Sequence, residues 1–399
     1  MANSDPVLIV GGGLGGLTAA LALGRQGRQV RVLEQTPELG AIGYGIQLGP
    51  NVFPMFARLG LVDALLAQSV LPSACVMFDA LTGAEVTRIP NEPVLRARFG
   101  HPYIVIHRVD LHKILLDACR ATPTIALEPS TTVVSYEERD GGVTMTTDDG
   151  RAIDGAALIG ADGLRSVVRA RIVGDGEPKP AGYVAHRTIV PIAQVPDGVA
   201  RDVSALWIGP RFHMVHYPLR GGTLFNIVAV FRTDTYGEKS DGAFNTAEVE
   251  RAYAAAHPTI KSLIEKMDLS RRWSIADRDP VRHWSQGRVT MLGDAAHPAL
   301  QTFAQGACMA IEDGVTLAAC VERAGGDFAE AFKGFEAARV VRTARVVLDG
   351  RRLWEGYHAE GLDRDVWLQG FSERSERDVL NCVAWLYDGI DLPMIRFSA

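Results

Sequence analysis

The feature that most narrows what this chain can fold into is a run of glycines set between a strand and a helix. Val7-Leu8-Ile9-Val10 is short and apolar, Gly11-Gly12-Gly13-Leu14-Gly15-Gly16 follows, and Leu17 to Leu23 is rich in alanine and leucine. Strand, tight turn and helix in that order open a βαβ unit, and the GxGxxG spacing points to a dinucleotide. Gly11 permits the turn, Gly13 beside Leu14 lets backbone approach a pyrophosphate, Gly16 allows close helix–strand packing, and the helix N-terminus faces the phosphates. The next strand, Gln29-Val30-Arg31-Val32-Leu33, ends at Glu34, an acid placed to accept from a ribose 2′-hydroxyl and to disfavour a 2′-phosphate there. Glycine turns before helices also arise for packing alone, so the weight rests on strand, helix and terminal acid together.

Two later segments repeat the strand-then-turn pattern. Ala156-Ala157-Leu158-Ile159 runs into Gly160-Ala161-Asp162-Gly163, and Leu164 to Arg169 resembles a helix start, so Asp162 alone reads equally well as an N-cap. Arg288 to Leu292 ends in Gly293-Asp294-Ala295-Ala296-His297-Pro298, where Asp294 is placed either for the hydroxyls of a ribityl chain or as another cap.

With these segments in view, the chain resembles, over nearly its whole length, the FAD-dependent aromatic hydroxylases, the single-component flavoprotein monooxygenases. GGGLGG with Glu34, GADG with Arg165, and GDAAHP carry the resemblance. It implies an α/β fold: a Rossmann-type FAD-binding domain with a discontinuous, mainly antiparallel β-sheet substrate domain and C-terminal helices. It further implies that Asp162-Gly163 touch both FAD and the nicotinamide, and that Gly293-Asp294 hold the ribityl chain. By the same resemblance Arg108, in His107-Arg108-Val109-Asp110-Leu111, lies near the FAD phosphates, although alone it would pass for a surface ion-pair residue. After GDAAHP the family usually has a proline, a Gln-Gly pair and an asparagine; here Gln301 replaces the proline, Gln305-Gly306 are kept, and Cys308 replaces the asparagine. A helix starting near Gly306 and Ala307 would aim its positive end at the flavin pyrimidine ring. Gln301 becomes a candidate polar group facing substrate. NADH, with NADPH as the alternative, would reduce the FAD, and dioxygen would form a flavin hydroperoxide.

Composition agrees with a small-molecule enzyme. The 399 residues are 47% hydrophobic, enough for a large core, and the net charge of −6 with no Lys/Arg cluster argues against nucleic acid. The five cysteines are scattered without metal-ligand spacing, which suggests reduced thiols and no metal site. No run of 18 apolar residues and no signal-like N-terminus occur, so a cytoplasmic protein without a transmembrane segment is expected. Residues 1–73, 100–175 and 277–345 read as a discontinuous FAD-binding domain, 74–99 and 176–276 as the substrate domain, and 346–399 as a helical segment. In that last segment Trp354, Trp367, Trp385 and Leu386 are interleaved with charges, a pattern that fits core packing or the surface of a homodimer.

The substrate side is read from Phe212-His213-Met214-Val215-His216-Tyr217, a strand that alternation divides into a His213, Val215, Tyr217 face and a Phe212, Met214, His216 face. A phenol with a reference pKa near ~10 is mostly neutral at neutral pH, so an imidazole and a phenol side chain facing it would help bind or deprotonate it. Without the flavin segments such a pair is more often structural. The combination of His213-x-x-x-Tyr217-Pro218-Leu219-Arg220-Gly221-Gly222 with Gly45 to Asn51 (including Gln47), Gln301 and Tyr103 is similar to 3-hydroxybenzoate 6-hydroxylases. That implies a small aromatic acid substrate and para-hydroxylation to gentisate; salicylate and 6-hydroxynicotinate hydroxylases share much of the pattern. Tyr103, Gln47 and Val215 are the expected substrate contacts, Gln47 being expected at the FAD as well, with His213, Tyr217 and Gln301 the expected catalytic groups. No cationic partner for a substrate carboxylate is evident, since Arg220 lies beyond the hairpin face. A flavin-dependent halogenase fits poorly, because Trp273-Ser274-Ile275 matches little of a WxWxIP element; a non-catalytic flavin redox sensor is the reading from another class.

Overall fold

The computed structural model describes residues 5–40, 43–237 and 242–390. Strands Val289–Met291, Ala157–Gly160, Val7–Val10, Val30–Leu33 and Ile125–Glu128 form a five-stranded sheet in that spatial order, with every pair parallel. Val7–Val10 and Ala157–Gly160 are buried throughout, as strands covered on both faces must be. Helix Leu14–Gly24, itself wholly buried, packs against helices Gly306–Arg323 and Arg108–Arg120. The order of these strands positions the site. The turns after Val10, Gly160 and Met291 follow three neighbouring parallel strands, so three segments far apart in sequence meet along the carboxyl edge of one sheet.

A second sheet has seven strands, in the order Trp273–Asp277, Lys179–Pro191, Leu224–Arg232, Phe212–Leu219, Ser204–Gly209, Ala74–Asp79 and Glu85–Pro90. It is antiparallel except where Ser204–Gly209 runs parallel to Ala74–Asp79. The expected hairpin is present: Phe212–Leu219 pairs with Leu224–Arg232, and Arg220, Gly221 and Gly222 all take positive φ in the turn. Phe212, Met214, Phe225, Ile227 and Phe231 pack behind the sheet against Val249, Tyr253, Ile260 and Leu263. Register then fixes the other face. Val228 is paired with both Val215 and Arg187, Val230 is paired with His213 and Ala185, and Asn226 is paired with Tyr217 and Ile189. That front face looks onto the FAD-side strands, where Gly45–Leu48 pairs with Ile104–His107.

Helix Phe328–Tyr357 runs unbroken across residues 345–346, because no glycine or proline lies between Phe335 and Asp349. Helices Gly361–Ser372 and Glu376–Tyr387 follow. Trp354 and Leu386 are buried within the chain, Trp385 lies under the Arg345 guanidinium at 4.0 Å, and Trp367 packs on Phe371. These aromatics thus have packing partners inside one chain. No helix among the described residues is long and apolar enough to cross a membrane.

Candidate active site

The carboxyl edge of the parallel sheet forms a groove made largely of backbone. Gly11 sits at φ +105°, and a Cβ there would lie 2.3 Å from the Ala161 carbonyl oxygen. A Cβ on Gly16 would lie 2.0 Å from the Gly11 oxygen, whereas one on Gly13 would meet nothing within 4 Å. Two of the three glycines are therefore required by packing, and the third faces open space where a ligand can approach. Glu34 closes over the turn: the Gly12 amide donates to its Oε2 at 2.8 Å and the Thr36 amide to its Oε1 at 2.9 Å. Beside it lies a cavity of about 590 Å³ lined by Pro37, Glu38, Leu39, Arg120, Ile125, Leu127 and Pro129.

Asp162 braces the start of the helix that Ser166 caps, and one of its oxygens is left over. Its Oδ2 accepts from the Val167 amide at 2.8 Å and the Val168 amide at 3.3 Å, in the first turn of helix Val167–Ile172. Its Oδ1 is buried with no partner among the described residues, and burial pushes the carboxyl up despite those amides. An acceptor left over at a buried position suits a hydroxyl donor from a ligand. Gly163 beside it takes positive φ, as does Gly293. Asp294 is exposed in the groove, and the 3₁₀ turn that contains it begins from Leu292, so Asp294 caps no helix. Helix Gly306–Arg323 starts from Gln305 with no side-chain cap, Gly306 is exposed and Ala307 half-buried. Its first amides are free to face an anion or a reduced ring. Gln305 instead turns inward, accepting from Asn51 Nδ2 at 3.0 Å, and Cys308 is buried. Arg108 is exposed at the first turn of helix Arg108–Arg120, its amide donating to the Tyr44 carbonyl at 2.8 Å. The open space at Gly13, the orphaned Asp162 oxygen and the uncapped helix fit a flavin dinucleotide.

Under the groove lies an ion network that sequence reasoning did not reveal. Asp313 accepts from the Gly293 amide at 2.9 Å and from Arg339 Nε at 2.7 Å, and it lies 2.6 Å from His297 Nε2. Glu312 accepts from Arg339, Arg342 and Asn51. Burial pushes the Asp313 carboxyl up, but His297 and Arg339 outweigh it and bring it down to about 2. The Gly293-Asp294 turn and the Gly306–Arg323 helix are thereby tied to one buried cluster.

The front face of the seven-stranded sheet carries the polar groups opposite this groove. The Tyr103 hydroxyl donates to Gln47 Oε1, Ser204 donates to the same oxygen at 3.2 Å, and Gln47 also reaches Tyr217. The Tyr217 ring lies where a Gly45 side chain would have to be, and the Gly45 amide donates to Asn226 Oδ1 at 2.9 Å. Burial pushes the Tyr217 phenol up, so it acts as a neutral hydrogen-bonding group, not as a phenolate base. His213 stands two rows along the same face, with Val215 between the two. Its Nδ1 is 2.8 Å from His358 Nε2, and Trp354 meets its ring edge-on at 5.4 Å and 85°. Burial, then the His358 ring, hold His213 well below the usual imidazole range, so it is neutral. Gln301 opens the 3₁₀ turn Gln301–Phe303, and its Oε1 accepts from Arg187 Nη2 at 2.9 Å.

Tyr103, Gln47 and Tyr217 therefore form one cluster, His213 begins another, and Gln301 reaches the face through Arg187. Trp354 comes from the last turn of helix Phe328–Tyr357 and His358 from its C-cap, where nothing local announced them as partners of His213. Arg187 did leave a signal: it is the one charge in the alternating series Tyr183, Ala185, Arg187, Ile189 of its strand. A second cavity, about 710 Å³, lies among Thr246, Tyr253, Lys261 and Met267 behind the sheet and touches none of these residues. Among the described residues no group of three or more His, Cys, Asp or Glu side chains gathers as metal ligands.

The FAD binding domain family matches residues 4–326. The chain belongs to this family. It is 44% identical to a 3-hydroxybenzoate 6-hydroxylase of Polaromonas naphthalenivorans, covering 96% of this chain and 95% of that one. It is 34% identical to a 6-hydroxynicotinate 3-monooxygenase of Bordetella bronchiseptica over 87% of this chain and 90% of the relative. Among solved structures, Klebsiella pneumoniae HpxO complexed with FAD and uric acid superposes with a TM-score of 0.85 at 28% identity, covering 96% and 97% of the two chains. The protein is thus a flavoprotein aromatic monooxygenase with an FAD-binding domain, as the sequence motifs predict.

Proposed function

We propose that the protein is an FAD-dependent, NAD(P)H-consuming monooxygenase that hydroxylates 3-hydroxybenzoate para to its hydroxyl, giving gentisate. The observation that supports this reading is the front face itself: a neutral His213 and, two rows along the same strand, a neutral Tyr217 joined to Gln47 and Tyr103 lie on the side of the sheet toward the glycine-turn groove that would hold the flavin. Curated relatives named 3-hydroxybenzoate 6-hydroxylase, 44% and 40% identical over 96% and 97% of the chain, support the same substrate.

Glu34, Asp162, Asp294, Arg108 and the amides at Gly13, Leu14, Gly306 and Ala307 would hold the FAD. When bound, FAD accepts the hydride equivalent of NADH or NADPH and activates dioxygen for transfer to the ring. The chain's own residues prepare the substrate. His213 accepts the phenol proton, which makes the ring a stronger nucleophile, and the phenolate beside it offsets the burial that otherwise disfavours an imidazolium. Tyr217 and Gln301 fix the ring's orientation by hydrogen bonds, while Val215 and Trp354 keep water away from the reacting edge. The nicotinamide has no second GxGxxG turn and would bind transiently over the flavin cleft. In this reading the FAD-binding unit comprises 1–73, 100–175 and 277–345.

The test is NADH consumption by FAD-loaded protein with 3-hydroxybenzoate, salicylate and 6-hydroxynicotinate, with products separated by chromatography. Gentisate formed in step with NADH loss is the expected result. Turnover of 6-hydroxynicotinate alone, or hydrogen peroxide as the only product, would overturn the choice of substrate.

A further inference from the structure

The fully buried arginines of this protein are paired with acids. Arg169 and Arg278 share Asp175, and Arg339 lies between Glu312 and Asp313. Arg187 is different. It projects from strand Lys179–Pro191 into the cleft between the sheet and the flavin groove, and no carboxylate among the described residues pairs with it. Its hydrogen bond is to a neutral acceptor, Gln301 Oε1 at 2.9 Å, which occupies one of a guanidinium's five donors. The charges and phenols around it are Arg108, Tyr44 and Tyr217, so its surroundings supply no anion, and burial pulls the guanidinium down from its usual range. A half-buried cation without a counter-charge is unfavourable unless a ligand brings one.

Its register places Arg187 to do so. Arg187 and Val215 both pair with Val228, so Arg187 lies on the front face in the row next to His213. Two strand spacings, roughly 10 Å between backbones, separate it from the strand that bears His213, a gap that a benzene ring and an extended arginine side chain together fill. We propose that Arg187, steadied by Gln301, binds the carboxylate of the aromatic acid while His213 takes its hydroxyl end. This rests on the hydroxybenzoate reading above. A guanidinium suits the task because its parallel N–H groups match both oxygens of a carboxylate, and one donor can stay on Gln301 while others meet the acid. It also supplies the cationic partner that the sequence alone did not reveal.

The test measures binding to oxidised FAD-loaded enzyme by the perturbation of flavin absorbance, using 3-hydroxybenzoate and its uncharged analogue 3-hydroxybenzamide, in the parent protein, Arg187→Gln and Arg187→Lys. Arg187→Gln is expected to lose about 30-fold in affinity for the acid, the scale of a charge-assisted pair, and less than about 3-fold for the amide. Arg187→Lys should keep part of the preference, and the FAD midpoint potential should be the same in all three. Equal weakening of acid and amide, or a lowered potential with the acid preference intact, would assign the charge to the flavin and overturn the proposal. If Arg187→Gln does not fold, Arg187→Lys and the parent's own acid-over-amide preference decide the matter, and no preference in the parent overturns it. Parent enzyme that makes gentisate with an Arg187→Gln variant binding the acid equally well defeats this inference alone; parent enzyme that binds no hydroxybenzoate defeats the function reading with it.

Discussion

The flavin groove and the substrate face are built on opposite principles. The groove is made of backbone: turns at Gly11–Gly16, Gly160–Gly163 and Gly293–Asp294 meet because three parallel strands are neighbours. The face is made of side chains that five separate segments contribute, among them Gln47, Tyr103, Arg187, His213 and Gln301, joined through register and hydrogen bonds. A backbone site tolerates side-chain change and fails when a glycine acquires a Cβ. A side-chain site tolerates distant change and fails one residue at a time.

Three measurements sharpen that contrast. The largest effect belongs to Gly16→Ala, whose Cβ would lie 2.0 Å from the Gly11 oxygen. Overpacking against rigid backbone should lower stability by about 3 kcal/mol, read as a drop in denaturant midpoint together with loss of bound FAD. A variant as stable and as yellow as the parent would show that the turn is not packed in this way.

The second effect is a pH dependence strongest in the seven-stranded sheet and the helix end packed on it, although burial also lowers His101, His107 and His112 on the groove side. Burial holds His186 at about 4 and His216 and His358 at about 3, with His213 also well down. In the unfolded chain these imidazoles titrate near ~6.5. Above that value the shifts have no effect on stability. As pH falls below it the unfolded chain takes up protons that the folded chain refuses, so stability declines from pH ~6.5 toward ~4. Trp207 donates its indole N–H to His216 Nε2 at 3.0 Å, a bond that the glutamine oxygen of His216→Gln can accept. That variant should flatten the decline by about 1.4 kcal/mol per pH unit below pH 6; an unchanged slope in the thermal midpoints would place the proton uptake elsewhere.

The smallest effect is Gly13→Ala. Its Cβ meets nothing within 4 Å, so FAD-free stability should stay within about 0.5 kcal/mol of the parent, while FAD affinity falls roughly 10-fold as the methyl enters the pyrophosphate path. Loss of stability equal to that of Gly16→Ala would erase the distinction between the packing glycines and the ligand-facing one.

The same contrast explains what could be read from the chain. The groove was legible because each of its turns is a contiguous motif, and Asp162 and Glu34 follow their strands directly. The alternation of Phe212 to Tyr217 assigned both faces of that strand correctly, since a pleat is a local property. Arg187 and His358 were not legible as partners of the site. Their places depend on which strand pairs with which and on how the long helix Phe328–Tyr357 returns, and neither is encoded in a short window. Tyr217 was expected as a possible base, but its role depends on burial, which alternation does not quantify.

The most direct test of the account is a turnover of FAD-loaded parent and His213→Gln with NADH and 3-hydroxybenzoate under ¹⁸O-labelled dioxygen. The account predicts that the parent yields gentisate carrying one labelled oxygen per NADH consumed, and that His213→Gln keeps its FAD yet forms gentisate at least about 100-fold more slowly. Gentisate whose new oxygen comes from water, or a His213→Gln variant as fast as the parent, would contradict it.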